Sequence, residues 1–256
     1  MGCFSVKEGS LMHRFFAESV PDNQGHVILP PDESRHALTV LRMKSGDRAE
    51  VVCEGRPWLA EIVFADSKSV QLTIISELPS AEPSLSVTLF QGLPKSDKMD
   101  WIVQKATEIG VARIVPVLTE RCVSRPEKKE SGRKVERWQK IALEAAKQSG
   151  RSIIPEVSSP VLLQDLSSYP LPAVNIVPWE EASGNGPRGF HASNPDVSSL
   201  GILIGPEGGI SPDEISSLKR VGFVPITLGR RILRTETAGL AAVSALFALY
   251  GEMEQA

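Results

Sequence analysis

The chain has 256 residues, of which 41% are hydrophobic, and its 28 Lys and Arg against 31 Asp and Glu leave a formal net charge of −3. That content suffices for an ordinary core in one large domain or two, and the lack of a membrane-length apolar run or a signal-peptide pattern predicts a soluble, cytoplasmic protein. Cys3, Cys53 and Cys122 are far apart and odd in number, and His13, His26, His36 and His191 are scattered, so neither a disulfide framework nor a metal site is expected.

Residues 1–11 show no periodicity and read as a disordered leader, with Met12 as an alternative start. From 12 to 78, short β-branched runs at 26–29, 49–53, 58–64 and 70–75 are separated by Gly, Asp, Ser and Pro, which predicts a small β-rich domain. One helix is expected inside it, over 32–43, after Pro30-Pro31. Residues 79–84 carry two prolines and no apolar pattern and read as a linker.

Beyond the linker the period changes. A strand is expected over 85–90, and then Ser96 caps a helix in which Met99, Ile102, Val103, Ala106 and Ile109 recur at helical spacing until Gly110 stops it. A strand over 113–118, a long helix over 131–149, strands at 173–177, 202–204 and 224–228, and a last helix over 236–250 follow. Strands alternating with helices predict an α/β domain, 85–256, with a largely parallel sheet. Residues 182–199, with three glycines and two prolines, read as a flexible surface loop. The last helix is apolar nearly all round, so it must be covered on more than one side, within one core or by a second subunit.

Two loops carry the chemistry. After 202–204 comes Gly205-Pro206-Glu207-Gly208-Gly209, and then Ser211-Pro212-Asp213-Glu214, a capping box that starts a helix. Glycines there let backbone N–H groups approach a ligand, and the helix start adds partial positive charge, which suits a carboxylate, a phosphate or a nucleotide edge. After 224–228 comes Gly229-Arg230-Arg231-Ile232-Leu233-Arg234. One glycine loop after a parallel strand can serve turn geometry alone; two such loops at one sheet edge, rich in glycine and arginine, point to a ligand site. A nucleotide-dependent dehydrogenase fits poorly, because there is no GxGxxG and the loop lies late in the chain. Net charge alone argues against a nucleic-acid partner, yet residues 113–151 hold 11 Lys or Arg against 5 Asp or Glu, a local excess of +6 that is either a solvated face or an RNA surface.

GPEGG followed by S-x-x-E, and LGRRILRTETA, resemble the two signature segments of the RsmE family, ribosomal RNA uridine-N3 methyltransferases of the SPOUT superfamily. The 95–100 KSDKMD, 104–110 QKATEIG, 120–123 ERCV, 145–151 AAKQSGR, 12–16 MHRFF and 36–42 HALTVLR segments are similar to that family too, so the resemblance spans about residues 12–249. The departures are the N-terminal extension and Ile210, where an aromatic is common. The resemblance implies a SPOUT-type α/β knot, trefoil-knotted with a mainly parallel sheet, behind a PUA-like RNA-binding β-barrel over 12–78, assembled as a homodimer. It implies S-adenosyl-L-methionine as cofactor and small-subunit (16S) ribosomal RNA, free or within the small subunit, as substrate. Carried over residue by residue, the cofactor pocket would be Val177 and Pro178, then Ile204, Gly205, Pro206, Glu207, Gly208 and Gly209, then Leu228, Gly229, Ile232 and Leu233. Arg234 would stabilise the uracil anion, or else hold a phosphate; Glu236 or Glu207 would accept the imide proton, although Glu207 could simply complement the helix start. Arg14, Arg35, His36, Arg42, Lys95, Lys98, Arg125 and Arg151 are the candidate RNA contacts. A non-catalytic RNA-binding module keeping the same fold is the alternative, and the two intact loops argue against it.

Overall fold

Strands buried mainly on one face build one sheet, and strands buried on both faces build another. The computed structural model describes residues 12–66, 68–125 and 127–254, except the side chains of Lys128 and Lys129, and its two units divide between Ala81 and Glu82. The leader expected over 1–11 lies outside the described residues.

The first unit contains β1 (Arg14–Ala17), β2 (His26–Ile28), α1 (Pro31–Arg35), β3 (Arg48–Cys53), β4 (Arg56–Ala65) and β5 (Val70–Glu77). Its sheet runs β1-β3-β4-β5-β2, with β1 parallel to β3 and every other pair antiparallel. The β3–β4 hairpin turns through Glu54 and Gly55, both at positive φ, a geometry that matches the twist of the flanking strands. Register shifts at Leu59/Ala60 and Ile62/Phe64 bend the β4–β5 ladder, so the sheet curls around Phe15, Val51, Ile62 and Leu72. The helix expected over 32–43 is shorter and broken. Five residues of α1 pass into a π-helical turn, His36–Val40, after which Arg42 takes φ 56°. The Thr39 hydroxyl donates back to the Arg35 carbonyl at 2.6 Å, which competes with a regular ladder, and Met43 is thereby brought into the core.

The second unit contains β6 (Ser86–Gly92), α2 (Lys98–Ile109), β7 (Arg113–Leu118), α3 (Lys128–Gln148), β8 (Glu156–Val157) and β9 (Val161–Leu162). A 3-10 helix (Leu163–Ser168), β10 (Val174–Pro178), α4 (Pro187–Ser193), β11 (Ser199–Ile204), α5 (Pro212–Arg220), β12 (Phe223–Ile226) and α6 (Thr235–Leu249) complete it. The sheet order is β12-β10-β11-β6-β7-β8 with β9 beside β7, and all of these pairs are parallel. Side-chain alternation then fills two layers. Ile176, Leu89 and Ile202 face a core with Met99, Val103, Trp138 and Leu246, while their neighbours Val177, Phe90 and Leu203 face Leu166, Ile215, Leu218 and Phe223. A sheet covered on both faces needs near-continuous apolar strands, as these are.

Two local expectations change. Ser96 stands at φ 56°, so the helix begins at Lys98 with Asp97 before it; Gly110, at φ 120°, ends it as its sequence position implied. Inside the glycine-rich stretch expected to be a loop, Gly186-Pro187 starts α4, whose Phe190 is buried. Tyr250 holds that segment down by stacking edge-on to His191 and donating to the Asn194 carbonyl at 2.5 Å. A single buried aromatic gives no periodicity to read.

Candidate active site

Three neighbouring strands of the second unit, β12, β10 and β11, end at the same sheet edge, and each releases its chain into a loop: 227–234, 179–180 and 205–210. The carboxyl ends of parallel strands are where open α/β sheets bind ligands. Together the loops enclose a cavity of about 500 Å³. Ile204, Leu228, Ile232, Leu233 and Ala238 give it apolar walls, and Gly205, Gly209 and Gly229 present bare backbone.

Close approach makes the glycines necessary. A Cβ on Gly92, at the end of β6, would sit 2.6 Å from the Pro206 nitrogen, and one on Gly205 would sit 2.8 Å from Ile210 Cγ1. The glycine loop is therefore pressed against its neighbours, and hydrogen bonds fix it there. The buried Thr235 hydroxyl donates to the Gly205 carbonyl at 2.6 Å and accepts from Gln91 Nε2 at 2.8 Å, joining β6, the glycine loop and the start of α6. From the other side, the loop after β7 contributes Arg121, whose Nη1 donates to the Gly208 carbonyl at 3.0 Å. Glu214 closes the expected capping box with Ser211 and also accepts the Glu120 N–H at 2.7 Å.

Charge is distributed unevenly around this cavity. Lys98 Nζ lies 3.0 Å from Glu207 Oε1 and 3.3 Å from Glu236 Oε2, so one cation joins the glycine loop to the first turn of α6. The Lys95 N–H also donates to Glu207, at 3.2 Å to Oε1. Burial pushes the Glu207 carboxyl up, but the hydrogen bonds from Lys98, from its own backbone and from Lys95, together with the Lys98 charge, outweigh this and hold it below the usual carboxylate range. The hydrogen bond to Glu207 raises Lys98 in turn, against partial desolvation and with help from Glu236. Arg230, Arg231 and Arg234 line the mouth, exposed, and make no ion pair among the described residues. A flat apolar slot, bare backbone and free guanidinium groups can hold a nucleoside-like ligand beside an anionic one.

The RNA methyltransferase domain family matches residues 81–247, and the RNA methyltransferase PUA domain family matches 29–75. Ribosomal RNA small subunit methyltransferase E of Bacillus subtilis is 37% identical over 227 residues, covering 84% of this chain and 87% of that protein. The enzyme of the same name from Aquifex aeolicus is 34% identical, covering 92% and 99%. The chain belongs to the ribosomal RNA small subunit methyltransferase E family. Among solved structures, that of the family's Neisseria gonorrhoeae member bound to S-adenosyl methionine has 31% identity, covers 94% of this chain and 98% of that one, and superposes with a TM-score of 0.77. A Legionella pneumophila methyltransferase in complex with SAM gives 0.81 at 31% identity, covering 93% and 98%. The fold of the second unit is accordingly of the SPOUT type, and a PUA domain precedes it in the chain.

Most of the residues that the family resemblance singled out come together. Pro178, Ile204, Gly205, Pro206, Glu207, Gly209, Leu228, Gly229, Ile232, Leu233 and Arg234 line one cavity, and Glu236 stands behind it on Lys98. Val177 and Gly208 do not line it: Val177 is buried in the core on the α5 side, and Gly208 faces Arg121. Among the expected RNA contacts, Arg35, His36, Arg42 and Lys95 are exposed, whereas Arg14 pairs with Glu50. Lys98 belongs to the cavity. Arg125 Nη2 donates to the Thr119 and Glu120 carbonyls at 3.0 and 3.2 Å. Arg151 is 3% exposed, paired with Glu82 at 2.6 Å and donating to the Thr107 and Val111 carbonyls, which leaves it no face for a phosphate. Sequence reading passed over Trp179, Glu180, Thr227 and Thr235 on the cavity wall, and Gln91 and Arg121 behind it. Trp179 and Glu180 continue an expected loop; Gln91 and Arg121 meet their partners only through the tertiary fold. Among the described residues no helix is long and apolar enough to cross a membrane, and no cluster of ligating side chains could hold a metal.

Proposed function

We propose that this chain transfers the methyl group of S-adenosylmethionine to N3 of a specific uridine in 16S ribosomal RNA. The observation that carries the reading is the cavity itself: three loops at one parallel-sheet edge, an apolar slot floored by bare glycine backbone, and exposed arginines at its mouth. Its walls fit S-adenosylmethionine, with Ile204, Leu228 and Leu233 suited to the adenine face and the glycine loop to its polar edges. When bound, that cofactor supplies a methyl group on a sulfonium.

The chain's own residues have the rest of the chemistry to do. N3 of uridine must lose its proton before it can attack. Arg234, exposed at the mouth and next to the first turn of α6, would stabilise negative charge on the flanking carbonyl oxygens. Both carboxylates meet Lys98, but only Glu207 also holds the Lys95 N–H on both of its oxygens, so the proton would pass to Glu236. Apolar walls exclude water, and holding both reactants in line lowers the barrier by making the encounter intramolecular. Arg230 and Arg231 would take RNA phosphates, with Arg35, His36, Arg42 and Lys95 as further contacts.

A homodimer and a trefoil knot at the C-terminal segment belong to the same reading, as does a cytoplasmic location alongside ribosome assembly. Support for a dimer comes from α6, where Leu240, Ala241, Ala245 and Leu249 stay only half-buried in one chain.

The test is nucleoside mass spectrometry of small-subunit ribosomal RNA lacking the modification, incubated with the protein and S-adenosylmethionine beside an Arg234→Ala variant. Formation of 3-methyluridine, cut on the order of 10²–10³-fold in the variant, is the expected result. No methylated nucleoside despite cofactor binding would remove the substrate assignment. A protein that binds RNA but no cofactor would be a binding module.

A further inference from the structure

Lys98 sits where no phosphate-gripping lysine needs to be. It lines the cavity from the first turn of α2 with its side chain only 31% exposed, and it has carboxylates from two other elements on its ammonium: Glu207 of the glycine loop at 3.0 Å and Glu236 of α6 at 3.3 Å. No ion pair joins those carboxylates to Arg230, Arg231 or Arg234, although all three arginines stand around the same cavity. Without Lys98 the two anions would face each other across a half-buried gap, and like charges there repel. The Glu236 Oε2 atom is shielded from solvent and among the described residues makes no well-formed hydrogen bond, so the Lys98 charge beside it is its compensation.

From this geometry we infer that Lys98 is a positioning residue that staples the glycine loop to the start of α6 and so holds the cofactor cavity in its binding shape. The Lys95 N–H extends the staple to the chain between β6 and α2, so two segments converge on Glu207 and α6 joins them through Lys98. The neutral link through Gln91, Thr235 and the Gly205 carbonyl ties the same two segments on the buried side. Two links of different kinds restrain 205–207 against α6, and only the outer one depends on charge. The function of the staple toward cofactor rests on the methyltransferase reading; its existence does not.

The decisive experiment therefore has one arm without ligand and one with. In the free protein, hydrogen exchange at residues 205–210 is compared among wild type, Lys98→Met, Glu207→Gln and the double variant. Lys98→Met is expected to speed exchange on the order of tenfold, Lys98→Arg to restore much of the protection, and the double variant to fall short of the sum of the two single changes. In the second arm, calorimetry with S-adenosylmethionine is expected to show a comparable loss of affinity in Lys98→Met and recovery in Lys98→Arg, while the salt slope of RNA binding stays at the wild-type value. Unchanged exchange and additive effects would overturn the staple. So would a reduced salt slope with full cofactor affinity, which would make Lys98 a phosphate contact. Faster exchange in a protein whose wild type binds no cofactor would keep the staple and remove the methyltransferase reading instead.

Discussion

At the scale of single residues, the site is governed by how little room Gly92 and Gly205 leave and by how charge is compensated around Lys98. Gly92→Ala would drive a methyl group into the backbone at Gly205-Pro206, and overpacking of that kind costs about 1–3 kcal/mol. Because the atoms it meets belong to the glycine loop, the expected outcome is a loss of S-adenosylmethionine affinity larger than the loss of stability, seen by calorimetry beside denaturant unfolding. Protonation gives a second check. Glu207 is held below its ordinary range by its hydrogen bonds and the Lys98 charge, so its contribution is present above the unfolded carboxylate value and is lost as pH falls through the lower folded value. Lys98→Met removes that cation from Glu207 and so raises its carboxyl, so the acid limb of kcat/KM should move to higher pH; an unmoved limb would mean that Glu207 does not titrate there.

At the scale of elements, α5 shows how a cap can serve a site. Ser211 and Glu214 satisfy each other's backbone donors, and the same Glu214 carboxylate takes the N–H of Glu120 from the loop after β7. Ser211→Ala should cost about 1 kcal/mol in a denaturant titration. Glu214→Ala should cost more and should also loosen Arg121 from the Gly208 carbonyl, which hydrogen exchange over 119–122 and 205–210 would detect. The start of α6 works similarly. Arg234 precedes it without a side-chain cap, Thr235 is buried on the Gly205 carbonyl, and Glu236 reaches Lys98, so three consecutive residues face three directions: the cavity mouth, the glycine loop and α2. A helical period of 3.6 gives successive residues different directions, which is why one short run can supply a candidate catalytic cation, a loop anchor and an ion pair.

At the scale of the whole chain, the second unit is closed by long-range polar contacts near its two ends. Glu252 accepts the N–H groups of Ser84 and Leu85, at 3.0 and 2.8 Å, as well as the Ser84 hydroxyl. Glu82 receives Arg151 and the N–H groups of Ser152 and Ile153. Arg151→Ala would remove the guanidinium that Glu82 meets inside the fold, and breaking a buried pair costs about 3–5 kcal/mol. A fall in the denaturant midpoint with an unchanged salt slope of RNA binding is the expected outcome; the reverse would return Arg151 to the RNA surface.

What the sequence determined by itself is whatever depends on near neighbours along the chain. Short β-branched runs placed the β-rich first unit and apolar runs between helical stretches placed the parallel strands of the second, Gly110 ended its helix, Ser211 to Glu214 announced a capping box, and the two glycine-rich loops carried the family resemblance. Those signals are local because backbone conformation and side-chain direction repeat every two or 3.6 residues. Tertiary structure decided which cations are free. Arg151, Lys98 and Arg234 look alike in sequence, yet one is buried on Glu82, 69 positions away, one is shared between two carboxylates, and one is left exposed at the cavity mouth. Val177 and Gly208 were likewise sorted away from the cavity by a sheet face and by a close approach to Arg121. The physical reason is that a charge or a methyl group acquires its role from what lies within a few ångströms, and for these residues that neighbourhood is assembled from segments far apart in the chain.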